Sequence, residues 1–183
     1  TTLILAEIYT EAGLPDGVFN VLSGSGATVG AWLTEHPGIE KISFTGGTVT
    51  GKKVMASASG STLKDVTMEL GGKSPLIVFA DADWQVAADA SPMSVFANTG
   101  QDCCARSRMF IERSVYDKFV DRFVAATKKL VVGDPTQSET QLGPLVSANQ
   151  RATVEEFIAD ARTRGSKFAC GGGRPHPKGY YLE

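Results

Sequence analysis

The sequence predicts an α/β fold built on parallel strands. Short apolar stretches alternate with longer stretches in which apolar residues recur at helical spacing. The loops between them are short and contain glycine or proline, which end regular structure. Strands that alternate with helices in this way usually pair in parallel, with right-handed crossovers.

The first part of the chain alternates three helices with three strands. Apolar residues recur near helical spacing in residues 1–12, and Gly13 ends that helix. Pro37 and Gly38 end the second helix in the same way. The predicted order is helix 1–12, strand 18–22, helix 27–36, strand 41–44, helix 48–59 and strand 66–70.

The second part of the chain continues the alternation with longer helices. Asp81 and Asp83 can cap a long helix, which Pro92 should bend or locally break. Ser147 and Gln150 form a capping box for the last helix. The predicted order is strand 75–79, a helix to about residue 98, strand 109–112, a helix from 114, a loop over 133–146, a helix to 164 and strand 167–170.

Composition narrows the classes of function. The 183 residues suffice for one domain or two small ones, and 42% apolar with 21% charged residues is ordinary for a globular protein. A net charge of −2 gives no sign of a nucleic-acid or membrane-surface binder. No apolar run is long enough for a transmembrane helix. We therefore expect neither nucleic acid nor membrane as a partner.

The cysteines suggest a reducing compartment. Cys103, Cys104 and Cys170 are odd in number, two are adjacent, and none has the spacing of a metal site. A disulfide framework is not expected, nor is a metal. We therefore expect a cytoplasmic protein, and the N-terminal residues do not resemble a signal peptide.

Two glycine-rich turns could face a phosphate. Gly24 opens a Gly-Ser-Gly-x-x-x-Gly stretch after a predicted strand, but its spacing is one residue longer than the dinucleotide fingerprint and the next strand lacks the expected acid. The alternative is that Gly24 belongs to a tight turn with no role in binding. Phe44, Thr45, Gly46 and Gly47 run from a strand into a helix N-terminus, where free N–H groups favour an anion. A glycine-eased turn is the alternative.

One cysteine and one carboxylate stand out as possible catalytic groups. Cys103 follows a helix and a Gly-Gln turn, so its thiol could project from a tight bend. Glu69 ends an alternating strand and is followed by Leu70 and two glycines, which would let a backbone or ligand come close. A buried cysteine and a solvated strand-end carboxylate are the alternatives. If instead the Cys103 thiol and the Glu69 carboxylate act together, they form a pair suited to covalent catalysis at a carbonyl.

The segments around Glu69 and Cys103 resemble the signature motifs of the NAD(P)-dependent aldehyde dehydrogenases. They read Met-Glu-Leu-Gly-Gly-Lys-Ser-Pro over 68–75 and Phe-Ala-Asn-Thr-Gly-Gln-Asp-Cys-Cys-Ala-Arg-Ser over 96–107. The resemblance implies part of a Rossmann-like NAD(P)-binding domain at 1–71 and part of an α/β catalytic domain at 72–183. It leans towards the betaine-aldehyde and aminoaldehyde branch and implies a homo-oligomer for the full-length parent.

The resemblance also assigns roles to residues. NAD, or alternatively NADP, would lie with its adenosine near Gly24, its pyrophosphate along residues 44–47 and its nicotinamide ribose beside Leu70 and Gly71. Cys103, two residues after the glutamine, would attack an aldehyde, and Glu69 would be the general base that releases the acid from the resulting thioester. No metal is implied.

Two other interpretations stay open. Several segments of the full-length family do not match this chain, including the asparagine that donates to the oxyanion, so the chain could be a catalytically incomplete module with a structural or binding role. A cysteine hydrolase would need a histidine base. Neither His36 nor His176 lies in a supporting motif.

Overall fold

Each half of the chain contains a parallel pair of strands joined by a helix. The computed structural model describes residues 1–183, which divide into two compact units, Thr1–Leu70 and Gly71–Glu183. The first unit comprises α1 (Thr2–Glu11), a π-helical turn (Gly26–Gly30), α2 (Ala31–Glu35), β1 (Lys41–Gly46), α3 (Thr48–Ser61) and β2 (Asp65–Leu70). The second comprises β3 (Pro75–Val78), α4 (Trp84–Phe96), a 3-10 turn (Ala97–Gly100), β4 (Arg108–Ile111), α5 (Tyr116–Thr127) and α6 (Ala148–Thr163).

In the first unit, α3 crosses between β1 and β2. The two strands pair in parallel from Lys41 opposite Asp65 to Gly46 opposite Leu70. Half-buried residues alternate with exposed ones along β2 and along β1 as far as Thr45, as the period of a strand with one covered face requires. A Cβ at Gly51 of α3 would lie 2.9 Å from Cδ2 of Leu70, so glycine lets the helix pack closely on this face.

The second unit has the larger core. β3 and β4 pair in parallel, and α4 and α5 pack against them. Val78, Ala88 and Phe119 are buried at the centre. Partly buried side chains surround them, namely Leu76, Trp84, Ala87, Met109, Ile111 and Phe123. The apolar stripe of α5 thus covers the sheet, and its charged residues face outwards.

Helix ends follow the predicted capping chemistry. Asp83 accepts a hydrogen bond from the backbone N–H of Val86 at the start of α4. Ser147 accepts one from the N–H of Gln150 at the start of α6, at 3.1 Å. These bonds satisfy N–H groups that have no partner within a helix.

The prediction was that Pro92 would bend or locally break α4, and the break does not occur. The helix continues to Phe96, and Pro92 is fully buried. Packing of the ring offsets the hydrogen bond that proline cannot donate. The helix ends instead where Asn98 and Thr99 take left-handed conformations, with φ of 52° and 60°.

The two predicted strands 18–22 and 167–170 are wrong. The N–H of Val18 donates to the carbonyl of Pro15 in a turn, and β1 and β2 pair only with each other. The guanidinium carbon of Arg162 lies 5.2 Å from the centroid of the Phe168 ring. Both stretches have the composition of strands but lack a neighbouring strand to bond with, and strand propensity depends on that context. None of the helices is long and apolar enough to cross a membrane.

Candidate active site

A strained turn precedes the cysteine pair. Asn98, Thr99 and Gly100 all have positive φ, of 52°, 60° and 70°. This conformation is unfavourable for a β-branched residue such as Thr99 and persists only where surrounding structure enforces it. The Thr99 hydroxyl donates to the carbonyl of Gly143, and Gln101 accepts at its side-chain oxygen from the N–H of Val146. The loop at 143–146 therefore holds the turn in place.

The next turn, formed by Asp102, Cys103, Cys104 and Ala105, presents both thiols. The N–H of Ala105 donates to the carbonyl of Asp102, and the N–H of Cys104 donates to Oδ1 of Asp102 at 2.9 Å. Ala105 is buried, whereas Cys103 and Cys104 are exposed. The turn is therefore anchored by its ends and displays sulfur at its tip. We call residues 102–105 the thiol turn.

The backbone N–H of Cys103 has a different environment from its neighbour's. The N–H of Cys104 is taken by Asp102, but the N–H of Cys103 donates to no group of the chain. It is therefore free to donate to an oxygen that approaches the Cys103 sulfur. Such a donor stabilises the oxyanion that forms when a thiolate adds to a carbonyl.

The local electrostatics disfavour the Cys103 thiolate. Its Sγ lies 3.6 Å from Sγ of Cys104. The hydrogen bond with Cys104 raises the pKa of Cys103 above the usual thiol value, and the charges of Cys104 and Asp102 act in the same direction. The groups beside the Cys103 sulfur in the thiol turn therefore favour its protonated form.

Gly72 is the point where the Glu-Leu-Gly-Gly-Lys segment meets the thiol turn. A Cβ at position 72 would lie 3.3 Å from the carbonyl oxygen of Cys103. Nearby, Nε of Arg108 donates to the carbonyl of Lys73 at 2.7 Å. The close backbone approach expected from the two glycines is present at Gly72, whereas Gly71 has open space around it.

Glu69 lies on β2 opposite Thr45 of β1. Its side chain is exposed and makes no hydrogen bond or ion pair within the chain. It belongs to the unit Thr1–Leu70, and Cys103 belongs to the unit Gly71–Glu183. The carboxylate is therefore open to solvent.

The glycine-rich turn after β1 has the features of an anion site. Phe44, Thr45 and Gly46 form the carboxyl end of β1, and Gly47 is the N-cap of α3. No acidic residue occupies the first turn of α3, and a Cβ at Gly47 would meet nothing within 4 Å. Gly46 is held close, since a Cβ there would lie 2.6 Å from the Phe44 ring. The helix N-terminus is therefore open to a negatively charged group.

A groove of about 940 Å³ lies in the first unit beside this turn. Its walls come from the π-helical turn, α2, β1 and α3, with lining residues that include Gly26, Gly30, Ile42, Phe44, Thr50 and Lys53. Gly24 precedes the groove, and a Cβ there would collide with the side chain of Val29. Gly24 thus permits the turn that leads into the groove.

The groove residues of α3 were missed by the sequence interpretation. Thr50, Lys53 and Ser57 are polar residues three or four apart and line one wall. That helical spacing was visible in the sequence. Such a polar stripe is typical of any solvated helix face, and only the position of α2 shows that it borders a groove.

One α/β unit thus carries a glycine-lined groove, and the other displays an exposed thiol. The sequence profile of the aldehyde dehydrogenase family matches residues 1–183. The chain therefore belongs to the aldehyde dehydrogenase family. This confirms the resemblance in the two motifs and the predicted α/β fold class.

Solved structures agree with this assignment. The aldehyde dehydrogenase KauB from Pseudomonas aeruginosa is 42% identical, with a TM-score of 0.96 over 98% of this chain and 37% of its own. A mutant of P. syringae AldA, an indole-3-acetaldehyde dehydrogenase in complex with NAD+ and IAA, is 39% identical, with a TM-score of 0.97 over 100% and 38%.

The betaine aldehyde dehydrogenase from Staphylococcus aureus, in complex with NAD+, is 34% identical, with a TM-score of 0.93 over 100% of this chain and 37% of its own. The chain thus spans little more than a third of the length of these relatives.

Proposed function

We propose that the chain contributes the thiol and part of the cofactor site of an enzyme that oxidises an aldehyde to a carboxylic acid with NAD, or alternatively NADP. The observation that carries the proposal is the thiol turn, where Cys103 has an exposed sulfur beside an unpaired backbone N–H. Family membership and relatives solved with NAD+ support the choice of reaction and cofactor.

The first unit fits the cofactor. The open N-terminus of α3 at Gly47 suits the pyrophosphate, and the groove of about 940 Å³ suits the adenosine. Gly24 eases the chain towards that groove, while Leu70 and Gly71 would lie beside the nicotinamide ribose. When bound, the cofactor accepts the hydride that leaves the substrate carbon.

Cys103 performs the first chemical step in this proposal. Its thiolate adds to the aldehyde carbon, and the oxygen becomes an oxyanion that accepts a hydrogen bond from the Cys103 N–H. One such donor is worth about 2.7–4 kcal/mol in the transition state. Loss of hydride leaves a thioester on Cys103. Because Cys104 and Asp102 raise the pKa of Cys103, the thiolate must be stabilised by groups outside the thiol turn.

Glu69 performs the second step. Its exposed carboxylate takes a proton from a water molecule, which attacks the thioester carbon. The acid leaves, and the proton returns to the Cys103 sulfur. The substrate is a small-molecule aldehyde, with betaine aldehyde and aminoaldehydes as the first choices because the sequence leans towards that branch. The full-length parent is proposed to be a homo-oligomer.

The alternative is a module that keeps the fold without turnover. The short length of the chain favours it, since these residues span little more than a third of the relatives that they match. We accordingly expect weak NAD binding and little turnover from these 183 residues alone.

An acyl-trapping experiment separates the two proposals. The Glu69→Gln chain is incubated with NAD and a panel that includes betaine aldehyde and 4-aminobutyraldehyde, and intact mass and peptide mapping are then measured. An acyl adduct on Cys103 that accumulates in Glu69→Gln, but decays in the parent chain as reduced cofactor appears, supports the enzyme. A chain with only Cys170→Ala should behave like the unsubstituted 183-residue chain. An adduct on Cys104 or Cys170, or none with any aldehyde, leaves the module as the better account.

A further inference from the structure

The thiol turn brings three soft and hard donors together. The sulfurs of Cys103 and Cys104 and a carboxylate oxygen of Asp102 all lie within 4.8 Å of one another, and all three residues are exposed. This grouping was not expected from the sequence, because adjacent cysteines lack the two-residue separation typical of metal sites. It arises because the turn points both side chains the same way.

The distances suit a tetrahedral cation. Two sulfurs bound to zinc at about 2.3 Å lie about 3.8 Å apart in tetrahedral geometry, and a sulfur and a carboxylate oxygen lie about 3.6 Å apart. The two thiols are already 3.6 Å apart. The three donor atoms lie within 4.8 Å of one another, so the carboxylate oxygen has to come about an ångström closer to the sulfurs.

The turn is also held in the required conformation. The N–H of Cys104 donates to Oδ1 of Asp102, which leaves the other carboxylate oxygen available. Below the turn, the N–H of Arg106 donates to the carbonyl of Ser94 in α4. The backbone of the turn is therefore held by hydrogen bonds that do not involve the sulfurs.

We propose that Asp102, Cys103 and Cys104 bind one divalent d10 cation of the zinc class. Each thiol loses its proton and each sulfur forms a bond to the cation, so two protons are released for each cation bound. The carboxylate is the third ligand, and water fills the fourth position. Two thiolates with a carboxylate select a thiophilic ion over magnesium or calcium.

The binding stands on the geometry of the thiol turn alone. Its consequence for activity rests on the proposed function, because a cation on the Cys103 sulfur removes the nucleophile. The vicinal pair would then make the enzyme reversibly sensitive to thiophilic cations. A cation titration measures binding and not turnover. A negative result would therefore count against the cation site and not against the aldehyde chemistry.

Cadmium is the probe, because cadmium–thiolate bonds give a charge-transfer absorbance in the near ultraviolet. The reduced chain is titrated with Cd2+ at pH 7 in weak buffer, and absorbance and proton release are followed. We expect one cation per chain and two protons per cation. Zn2+ should displace the signal at equal stoichiometry, and Mg2+ should not.

Four variants locate the site. Cys104→Ser and Cys103→Ser should each weaken binding by more than about tenfold. Mutation of a residue that only supports a ligand can already cause a tenfold loss, and these two residues are ligands themselves. Asp102→Asn keeps the oxygen that accepts from Cys104 but removes the charge, and should weaken binding by about tenfold. Cys170→Ala, which changes a thiol outside the turn, should bind like the parent chain. Circular dichroism confirms that each variant is folded.

Three results would overturn the proposal. One is a charge-transfer band that survives in Cys104→Ser with unchanged affinity. Another is a stoichiometry of one cation per two chains, which would mean bridging between molecules. The third is loss of the band in Cys170→Ala.

Discussion

The glycine-rich turn after β1 and the strained turn before the cysteines are built by opposite means. In the first unit, local glycines make room: Gly46 and Gly51 pack where a Cβ would collide, and Gly47 leaves the N-terminus of α3 open. In the second unit, Thr99 is held in a left-handed conformation by a carbonyl at Gly143. The turn after β1 is thus shaped by glycines, while the strained turn depends on Gly143, 44 positions further along the chain.

The largest effect should come from the core of the second unit. Phe119 is fully buried, and Phe119→Ala should lower the free energy of unfolding of the second unit by about 3–5 kcal/mol. Trp84 packs on this core and its fluorescence reports the unit in a chain carrying Trp32→Phe. Phe157→Ala is the control, because Phe157 is 72% exposed and its loss should change little. Equal destabilisation by both would mean that α5 does not form this core.

A smaller loss is expected at the strained turn. Gly100 has a φ of 70°, so Gly100→Ala should cost about 1–2 kcal/mol in the free energy of unfolding. Gly60→Ala in α3 is the matched change, since a Cβ there meets nothing and alanine favours a helix. Denaturant titration should show opposite shifts in midpoint. A stabilising Gly100→Ala would show that the left-handed turn is not maintained in solution.

The glycine-rich turn after β1 can be tested by placing a negative charge at Gly47, the N-cap of α3. Gly47→Asp should stabilise α3 through capping, yet weaken NAD binding by about fivefold, since a charge at a helix N-terminus is worth up to about 1 kcal/mol. Gly47→Asn caps without charge and should keep the affinity. Saturation-transfer NMR measures the weak binding expected of this chain. Equal affinities for Asp and Asn would mean that the pyrophosphate does not approach Gly47.

The reactivity of Cys103 should depend on Cys104. Because the hydrogen bond with Cys104 raises the pKa of Cys103, Cys104→Ala should lower that pKa and raise the thiolate fraction near pH 8. Iodoacetamide labelling of Cys103, followed by peptide mapping against pH, should therefore accelerate, with its midpoint shifted to lower pH. In the parent chain Cys103 should also label faster than the half-buried Cys170. Slower labelling of Cys103 in Cys104→Ala would mean that Cys104 favours the Cys103 thiolate, which contradicts the prediction.

The smallest effect is expected at an exposed ion pair between α4 and α5. Arg122 donates to both oxygens of Asp89, with NH2 to Oδ2 at 2.6 Å, and lowers the pKa of that carboxyl. Its folded pKa is below the unfolded one, so the stabilisation is present above the unfolded pKa and lost as pH falls through the folded pKa. Asp89→Asn should lower Tm slightly at pH 7, less at high salt and not at all in acid. Asp121→Asn, on the outer side of α5, is the control.

Local pattern predicted much of the fold for physical reasons. β1, β2, β3 and β4 were placed to within a few residues because short apolar runs between turn residues are typical of buried strands. The ends of α4 and α6 followed from Asp83 and Ser147, whose side chains cap the helices they precede. Family motifs also singled out Cys103 and Glu69, although their roles remain proposals.

The sequence by itself determined the α/β class, the helix caps, the family and the chemical types of the site residues, because these depend on residues close together in the chain. Tertiary structure decided which apolar runs found a strand partner, that α4 passes through Pro92, and that Asn98 and Thr99 turn left-handed. It also decided that the Cys103 and Cys104 sulfurs face each other at 3.6 Å. Each of these depends on contacts that sequence proximity does not specify, since packing and distant hydrogen bonds outweigh local preference.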